Sequence, residues 1–192
     1  ASRGRGLQLV HLDPRILELR PVTQRLEYAL RSYPQAALQP SALTRTVSKR
    51  NLALPRDRHP RTRELAARLR AESTDEADYV QRVLRRFATE DYAYTLEPPL
   101  LRGDPVDEFL FDTREGFCEH YASSFAVLMR AAGIPTRVVA GYQGGERIFY
   151  GGYLLVRQSS AHAWNEVWLA GRGWVRVDPT AAVAPERIRR GT

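Results

Sequence analysis

The spacing of apolar residues along the chain changes character twice. Residues 1–59 carry short, mixed patterns: Leu7 and Leu9 alternate with polar neighbours, Leu26, Tyr28 and Leu30 do the same, and prolines at 14, 21, 34, 40 and 55 break the runs. Such punctuation reads as short strands and turns, although Val22, Leu26, Ala29, Leu30 and Tyr33 would equally suit one face of a helix. Pro60 opens a different regime. Arg61 to Ala71 is helical, with Leu65 and Leu69 on one side, and Ser73-Thr74-Asp75-Glu76 forms a capping-box signature for a second helix. Val80, Val83, Leu84 and Phe87 give that helix a core-facing stripe. The acidic cluster at 75–78 is therefore a helix N-terminus and not a calcium loop.

Beyond Pro98-Pro99, Asp104-Pro105 has the N-cap and first-turn chemistry of a short helix running through Phe111. A third main helix spans Cys118 to Ala132, with Tyr121, Phe125, Leu128, Met129 and Ala132 on one face and Gly133 as its stop. The period then becomes two. Strands are expected near 136–142, 148–156, 161–169 and 174–178, separated by Gln143-Gly144-Gly145-Glu146, Ser159-Ser160 and Ala170-Gly171-Arg172-Gly173. Helices followed by an antiparallel sheet make an α+β core over 60–192, preceded by an accessory segment, 1–59, of short strands packed on it.

Composition sets limits on this picture. At 192 residues and 43% hydrophobic, the chain can bury roughly 70% of its unfolded surface, which excludes disorder for most of it and removes the need for disulfide or metal staples. No apolar run approaches the roughly 18–20 residues of a membrane span, and Ala1 to Gly6 lack the apolar stretch of a signal peptide, so the chain as it stands reads as soluble. It does not begin with Met, and the missing signals therefore do not weigh against an exported location. The net charge of +7 suggests nucleic acid until it is divided: residues 1–70 hold 15 basic and 5 acidic side chains, residues 71–192 hold 14 and 17. Basicity thus belongs to the accessory segment, where anionic lipid head groups are an alternative partner, and no nucleic-acid partner is expected. Lys49 is the only lysine.

Three positions carry candidate chemistry. Cys118 is the only cysteine and lies in the first turn of a helix, where backbone N–H groups and the helix dipole favour the thiolate; a small buried hydrophobe is the alternative reading. His162 lies in Ala161-His162-Ala163-Trp164, and Asp178 closes Trp174-Val175-Arg176-Val177-Asp178. Pairing Trp168 with Trp174 sets Trp164 opposite Asp178 and leaves His162 diagonal to it on the same face, within reach; a slip of one residue would separate them. In that register Asp178 orients His162, and a helix packed on the sheet presents Cys118 to the other ring nitrogen.

These residues resemble a family. Arg114-Glu115-Gly116-Phe117-Cys118-Glu119-His120-Tyr121-Ala122, the run Leu128 to Tyr142 through Gly133-Ile134-Pro135, Ala161-His162-Ala163-Trp164 and Asp178-Pro179-Thr180 are similar to the transglutaminase-like core of the papain-like cysteine enzymes. The longer strings around Asp107-Glu108-Phe109-Leu110-Phe111 and Thr180 to Arg187 resemble a subgroup of bacterial inner-membrane proteins whose core lies in the periplasm. The resemblance covers about 60–188 and implies a papain-like fold with the nucleophile at a helix N-terminus. It also implies a catalytic triad of Cys118, His162 and Asp178 and a thioester formed on a glutamine carboxamide of a protein or peptide. A primary amine then gives an isopeptide bond and water a carboxylate. A periplasmic location, with anchoring outside this chain, follows from the same resemblance.

The competing functions are a deamidase or peptidase of the same fold and a non-catalytic binding module; the intact triad argues against the last. The oxyanion is expected to face the Cys118 backbone N–H and a second donor that the sequence does not identify. Trp164 is a candidate for shaping the substrate site, or equally a core aromatic. Glu119 and His120 flank the nucleophile but project about 100° and 200° away around the helix, which suits solvated or supporting roles. A zinc site built from Cys118, His120, His162 and Asp178 lacks a second cysteine and paired-ligand spacing, so neither metal nor cofactor is expected. Gly144-Gly145 and Gly151-Gly152 are turn or bulge signals, and Arg61, Arg63, Arg68 and Arg70 read as a solvated helix face.

Overall fold

The computed structural model describes residues 41–186 without interruption and, before them, 7–10, 15–18, 21, 23–24, 29, 33 and 36–39. The chain divides into two compact units, Ala1–Ala36 and Ala37–Thr192. In the first, β1 (Leu7–Val10) pairs antiparallel with β2 (Arg15–Glu18), from Leu7 opposite Glu18 to Val10 opposite Arg15. The alternation at Leu26, Tyr28 and Leu30 lies outside the described residues.

The second unit takes in residues 37–59, which the sequence grouped with the accessory segment. There α1 (Arg45–Leu52) is a helix where strands were expected. Only Val47 of it is buried, so no apolar stripe announces it; the signal is the Thr44 hydroxyl, which accepts the Val47 N–H at 3.3 Å. Helices α2 (Pro60–Ala71) and α3 (Glu76–Thr89) follow. The cap of α3 is Asp75 and not Ser73: Asp75 accepts the Asp78 N–H at 2.8 Å while Asp78 accepts the Thr74 N–H at 3.0 Å, a reciprocal arrangement two residues later than the signature suggested.

After β3 (Ala93–Tyr94) the chain reaches α4 (Pro105–Glu108), capped by Asp104 as its sequence predicts. It then widens into a π-type turn over Phe109–Thr113, closed by Arg114 at φ 55°. The strand pair β3 with β4 (Glu115–Gly116) is parallel and delivers the chain to α5 (Cys118–Ala131). Tyr121, Phe125, Leu128 and Met129 are fully buried, and Ala122, Ser124 and Ala126 are buried as well, so α5 is enclosed on more than its predicted stripe. Phe87, Tyr92 and Phe109 pack edge-on or tilted against one another and Tyr121, with centroids 5.0–6.4 Å apart, which fixes α5 against the helical layer. Three tyrosine hydroxyls reach backbone carbonyls there: Tyr79 to Leu128, Tyr92 to Leu110 and Tyr121 to Ala93.

On the other side of α5 lies an antiparallel sheet. Strand β5 (Thr136–Tyr142) leads into a ribbon of β6 (Glu146–Ile148) and β7 (Tyr153–Leu155), then come β8 (Ala161–Leu169), β9 (Gly173–Val177) and the short α6 (Thr180–Val183). The sheet order is β5-β8-β9. The single strand expected at 148–156 is instead this ribbon, folded at Gly151 and Gly152, whose φ angles are +99° and +66°. Trp168 lies opposite Trp174, the expected register. Ala163, Asn165, Val167 and Leu169 are buried, and Asn165 Nδ2 donates to the Ala122 carbonyl at 2.9 Å, tying β8 to α5. At the β8–β9 turn, Gln39 accepts both indole N–H groups, Trp168 on its backbone oxygen at 2.9 Å and Trp174 on Oε1 at 2.8 Å, while the Leu38 carbonyl accepts the Trp174 N–H at 3.0 Å.

Candidate active site

The site forms where two elements begin. Cys118 is the first residue of α5 and His162 the second of β8, and the thiol and the ring are hydrogen-bonded. His162 belongs to the strand positions alternating with buried Ala163, so the contact is made at the end of the helix–sheet junction. Its Nε2 lies 2.8 Å from Asp178 Oδ2, which leaves Nδ1 as the nitrogen that meets the thiol. The side chains of His162 and Asp178 are 9% and 10% exposed, so their hydrogen bond is largely shielded from water. Asp178 directly follows β9, one residue beyond the last registered pair, Asn165 with Val177, and this places it diagonal to His162 as the period of two required.

Electrostatics favour a charge-separated pair. Burial by itself would push the Cys118 thiol up, but the His162 hydrogen bond, the Ala163 backbone N–H that the sulfur accepts and the His162 charge bring it below its ordinary value. Burial likewise opposes the His162 charge, yet the Asp178 and Cys118 hydrogen bonds and charges outweigh it and raise His162 to about 9. Both shifts run in the direction that favours a thiolate beside an imidazolium, and the two groups titrate as a coupled unit.

Supporting residues hold this geometry. His120 does not join the triad: its Nδ1 accepts the Phe117 N–H at 3.3 Å, and burial pulls its pKa down, so the neutral ring closes the first turn of α5. Gly116 is needed beneath it, because a Cβ there would lie 2.7 Å from His120 Cβ and 2.9 Å from Phe109 Cε2. Trp164 stacks on His162 at 6.2 Å and 23° and carries the Arg176 guanidinium on its ring at 4.3 Å. Its ring also crosses the backbone at Gly141, where a Cβ would lie 2.7 Å from Cη2. Arg176 in turn lies 3.7 Å from Asp178 Oδ2 and donates to Gln143 Oε1 at 3.3 Å. The Ala163 N–H, Arg176 and Gly116 were not picked out from the sequence. A backbone donor has no residue signal, but Arg176 could have been found, since it stands two residues before Asp178 and thus on its face.

His59, Asp104 and Asp107 also lie close enough together to hold an ion. Their oxygens are already engaged. Asp107 accepts the Arg61 and Thr62 N–H groups at 3.0 Å each and the Thr62 hydroxyl, capping α2 from α4, while Asp104 accepts the His59 and Asp107 N–H groups and faces His59 Nδ1. Arg61 of the predicted basic face pairs with both oxygens of Asp112 and lies 4.5 Å over the Phe111 ring, and Arg63 donates to the Pro55 and Arg58 carbonyls.

Residues 63–179 match the family model of the transglutaminase-like superfamily. A protein-glutamine gamma-glutamyltransferase of Pseudomonas aeruginosa is 54% identical over 171 residues, 89% of this chain and 25% of that protein. The uncharacterized protein YebA of Bacillus subtilis is 36% identical over 142 residues, 70% of this chain and 19% of its own length. The chain thus spans about a quarter or less of these relatives. Crystal structures of the periplasmic domain of TgpA from Pseudomonas aeruginosa, one of them bound to ethylmercury, superpose with TM-scores of 0.93 and 0.92 at 49% identity. They cover 98% and 97% of this chain and 65% and 66% of theirs.

Proposed function

The chain belongs to the transglutaminase-like superfamily, and we propose that it transfers the acyl group of protein glutamine to primary amines through a thioester on Cys118. The observation that carries this reading is the hydrogen-bonded row Cys118–His162–Asp178 at the start of a buried helix. The Cys118 thiolate attacks the carboxamide carbon, and the oxyanion faces the first-turn N–H of Cys118, which has no acceptor within its own helix. His162 gives its Nδ1 proton to the departing ammonia, leaving the thioester and a neutral imidazole. That imidazole then takes a proton from the incoming amine as the isopeptide bond forms and the thiolate leaves. Asp178 holds the ring by Nε2 and supports its charge throughout. The name of the Pseudomonas aeruginosa relative supports the choice of reaction, and the periplasmic origin of the TgpA domain supports the same compartment for this chain. Anchoring would lie outside these residues: no helix among the described residues is long and apolar enough to cross a membrane.

The test is incubation of the protein and its Cys118→Ala variant with a glutamine-containing protein and a labelled primary amine, followed by peptide mass spectrometry. Label on glutamine that depends on Cys118 is the expected result. Glutamate without label would move the reading to a deamidase and backbone cleavage to a peptidase; no Cys118-dependent product on any amide would contradict all three.

A further inference from the structure

His162, Trp164 and Glu166 alternate along one face of β8, and Arg176 lies opposite Glu166 on β9, two residues before Asp178. Glu166 is taken by Arg137 of β5, whose Nε donates to it at 2.6 Å, and Arg176 extends the other way, over Trp164. Its guanidinium lies 4.3 Å from the centre of the indole, and Nη2 donates to Gln143 Oε1 at 3.3 Å, so Trp164 and Gln143 fix where the cation stands. The same Nη2 is 3.7 Å from Asp178 Oδ2, the oxygen that faces His162 Nε2 at 2.8 Å. At that separation the Arg176–Asp178 contact is one of charge and not a hydrogen bond. Asp178 does not need it for orientation, since Oδ1 accepts the Thr180 N–H at 3.2 Å and Oδ2 is held by His162. Among the described residues the other ionisable group against His162 is Cys118 from α5. Gly141, the β5 partner of His162, brings no charge, and Glu119 is exposed beside Cys118.

We infer that Arg176 is a positioning residue of the acyl-transfer centre: by setting a cation against the carboxylate that orients His162, it limits how tightly the imidazole holds its proton. The inference rests on the acyl-transfer reading and assigns a role in its second half. In the first half His162 gives a proton to the departing ammonia, and the thiolate beside it favours the charged ring. Once the thioester has formed that thiolate charge is gone, and Nδ1 must be unprotonated to take a proton from the amine. A carboxylate acting alone would favour the imidazolium, which cannot serve as a base; the Arg176 cation offsets part of that attraction. The Arg176 side chain is 51% exposed, so solvent screens much of its charge and the effect expected is about half a pH unit, not several.

The experiment titrates the His162 ring by heteronuclear NMR of nitrogen-labelled imidazole in the Cys118→Ala protein, where the sulfur charge is absent as it is in the acyl-enzyme. A His162→Asn variant identifies the signals. Arg176→Gln is expected to raise the His162 midpoint by about 0.5 pH unit, a roughly threefold tighter hold on the proton, and Arg176→Lys to keep most of the original value. A merely structural part for Arg176 predicts the opposite sign, because a looser Asp178 supports the imidazolium less. A midpoint that is unchanged or lowered in Arg176→Gln, or a lysine variant that behaves like the glutamine one, overturns the proposal. With Cys118 in place, aminolysis of the preformed thioester by a weakly basic labelled amine is followed against pH. Its rising limb is expected to move up by the same half unit in Arg176→Gln, with the KM of the glutamine peptide unchanged; a limb that stays in place overturns the role in the second half. If the NMR midpoint moves as expected but the wild type incorporates no amine, the hold of Arg176 over the His162 proton stands and the acyl-transfer reading falls.

Discussion

His162 stands between a carboxylate and a thiol, and both neighbours raise its proton affinity against the pull of burial, to about 9. Its partner Cys118 moves the opposite way. Alkylation of Cys118 should therefore begin at a pH below that of an ordinary thiol, roughly 8.5, and Asp178→Asn should move this limb to higher pH by weakening the imidazolium that stabilises the thiolate. A stopped-flow pH profile of iodoacetamide reactivity measures both. Linkage gives a second expectation. His162, raised to about 9 in the folded protein, contributes stability that is full below its unfolded value, roughly 6.5, and is lost as pH rises through about 9. Urea titrations at several pH values should show this falling limb in the wild type and its loss in His162→Asn. That Cys118, His162 and Asp178 come together was legible from type and period, because Cys at a helix start and His and Asp on one sheet face are side-chain signals. The Ala163 N–H was not, because its role depends on where the backbone passes the sulfur.

The elements hold one another by caps exchanged across the fold. Asp107 is buried and closes the N-terminus of α2 with three hydrogen bonds, since His59, at φ 63°, supplies no side-chain cap of its own. Asp107→Ala should cost about 1–3 kcal/mol in denaturant unfolding by leaving the Arg61 and Thr62 donors unsatisfied. Gly116→Ala should cost a similar ~1–3 kcal/mol, since the new Cβ collides with His120 and Phe109, and it should also slow Cys118 alkylation by displacing the first turn of α5. An equally fast alkylation would separate Gly116 from the site. Helices with a periodic apolar face and strands bounded by glycine turns were visible in the sequence. The extent of burial of α5 was not, because Ser124 and two alanines carry little hydrophobic signal yet permit close packing. The helical α1 and the split of 148–156 into a ribbon escaped for related reasons: one has a single buried residue, and the other is apolar along its whole length.

At the scale of the molecule, the compact second unit begins at Ala37, and Leu38 and Gln39 secure the turn that sets the β8–β9 register. Because Asp178 meets His162 only in that register, this short segment supports the site from the far end of the sheet. A chain starting at residue 41 should unfold about 1–3 kcal/mol more easily than one starting at 37, through the lost indole and backbone partners. The uneven charge, basic over residues 1–70 and acidic beyond, separates the candidate site from the basic region in sequence. The proposed reaction requires an acyl group carried on Cys118. The most direct measurement is intact mass spectrometry after incubation with a glutamine peptide, without added amine, and an acid quench. An adduct equal to the peptide less ammonia, mapped to Cys118, absent from Cys118→Ala and released by hydroxylamine, is the expected result. An unmodified Cys118 under conditions where glutamine is consumed, or the same adduct in Cys118→Ala, would contradict it.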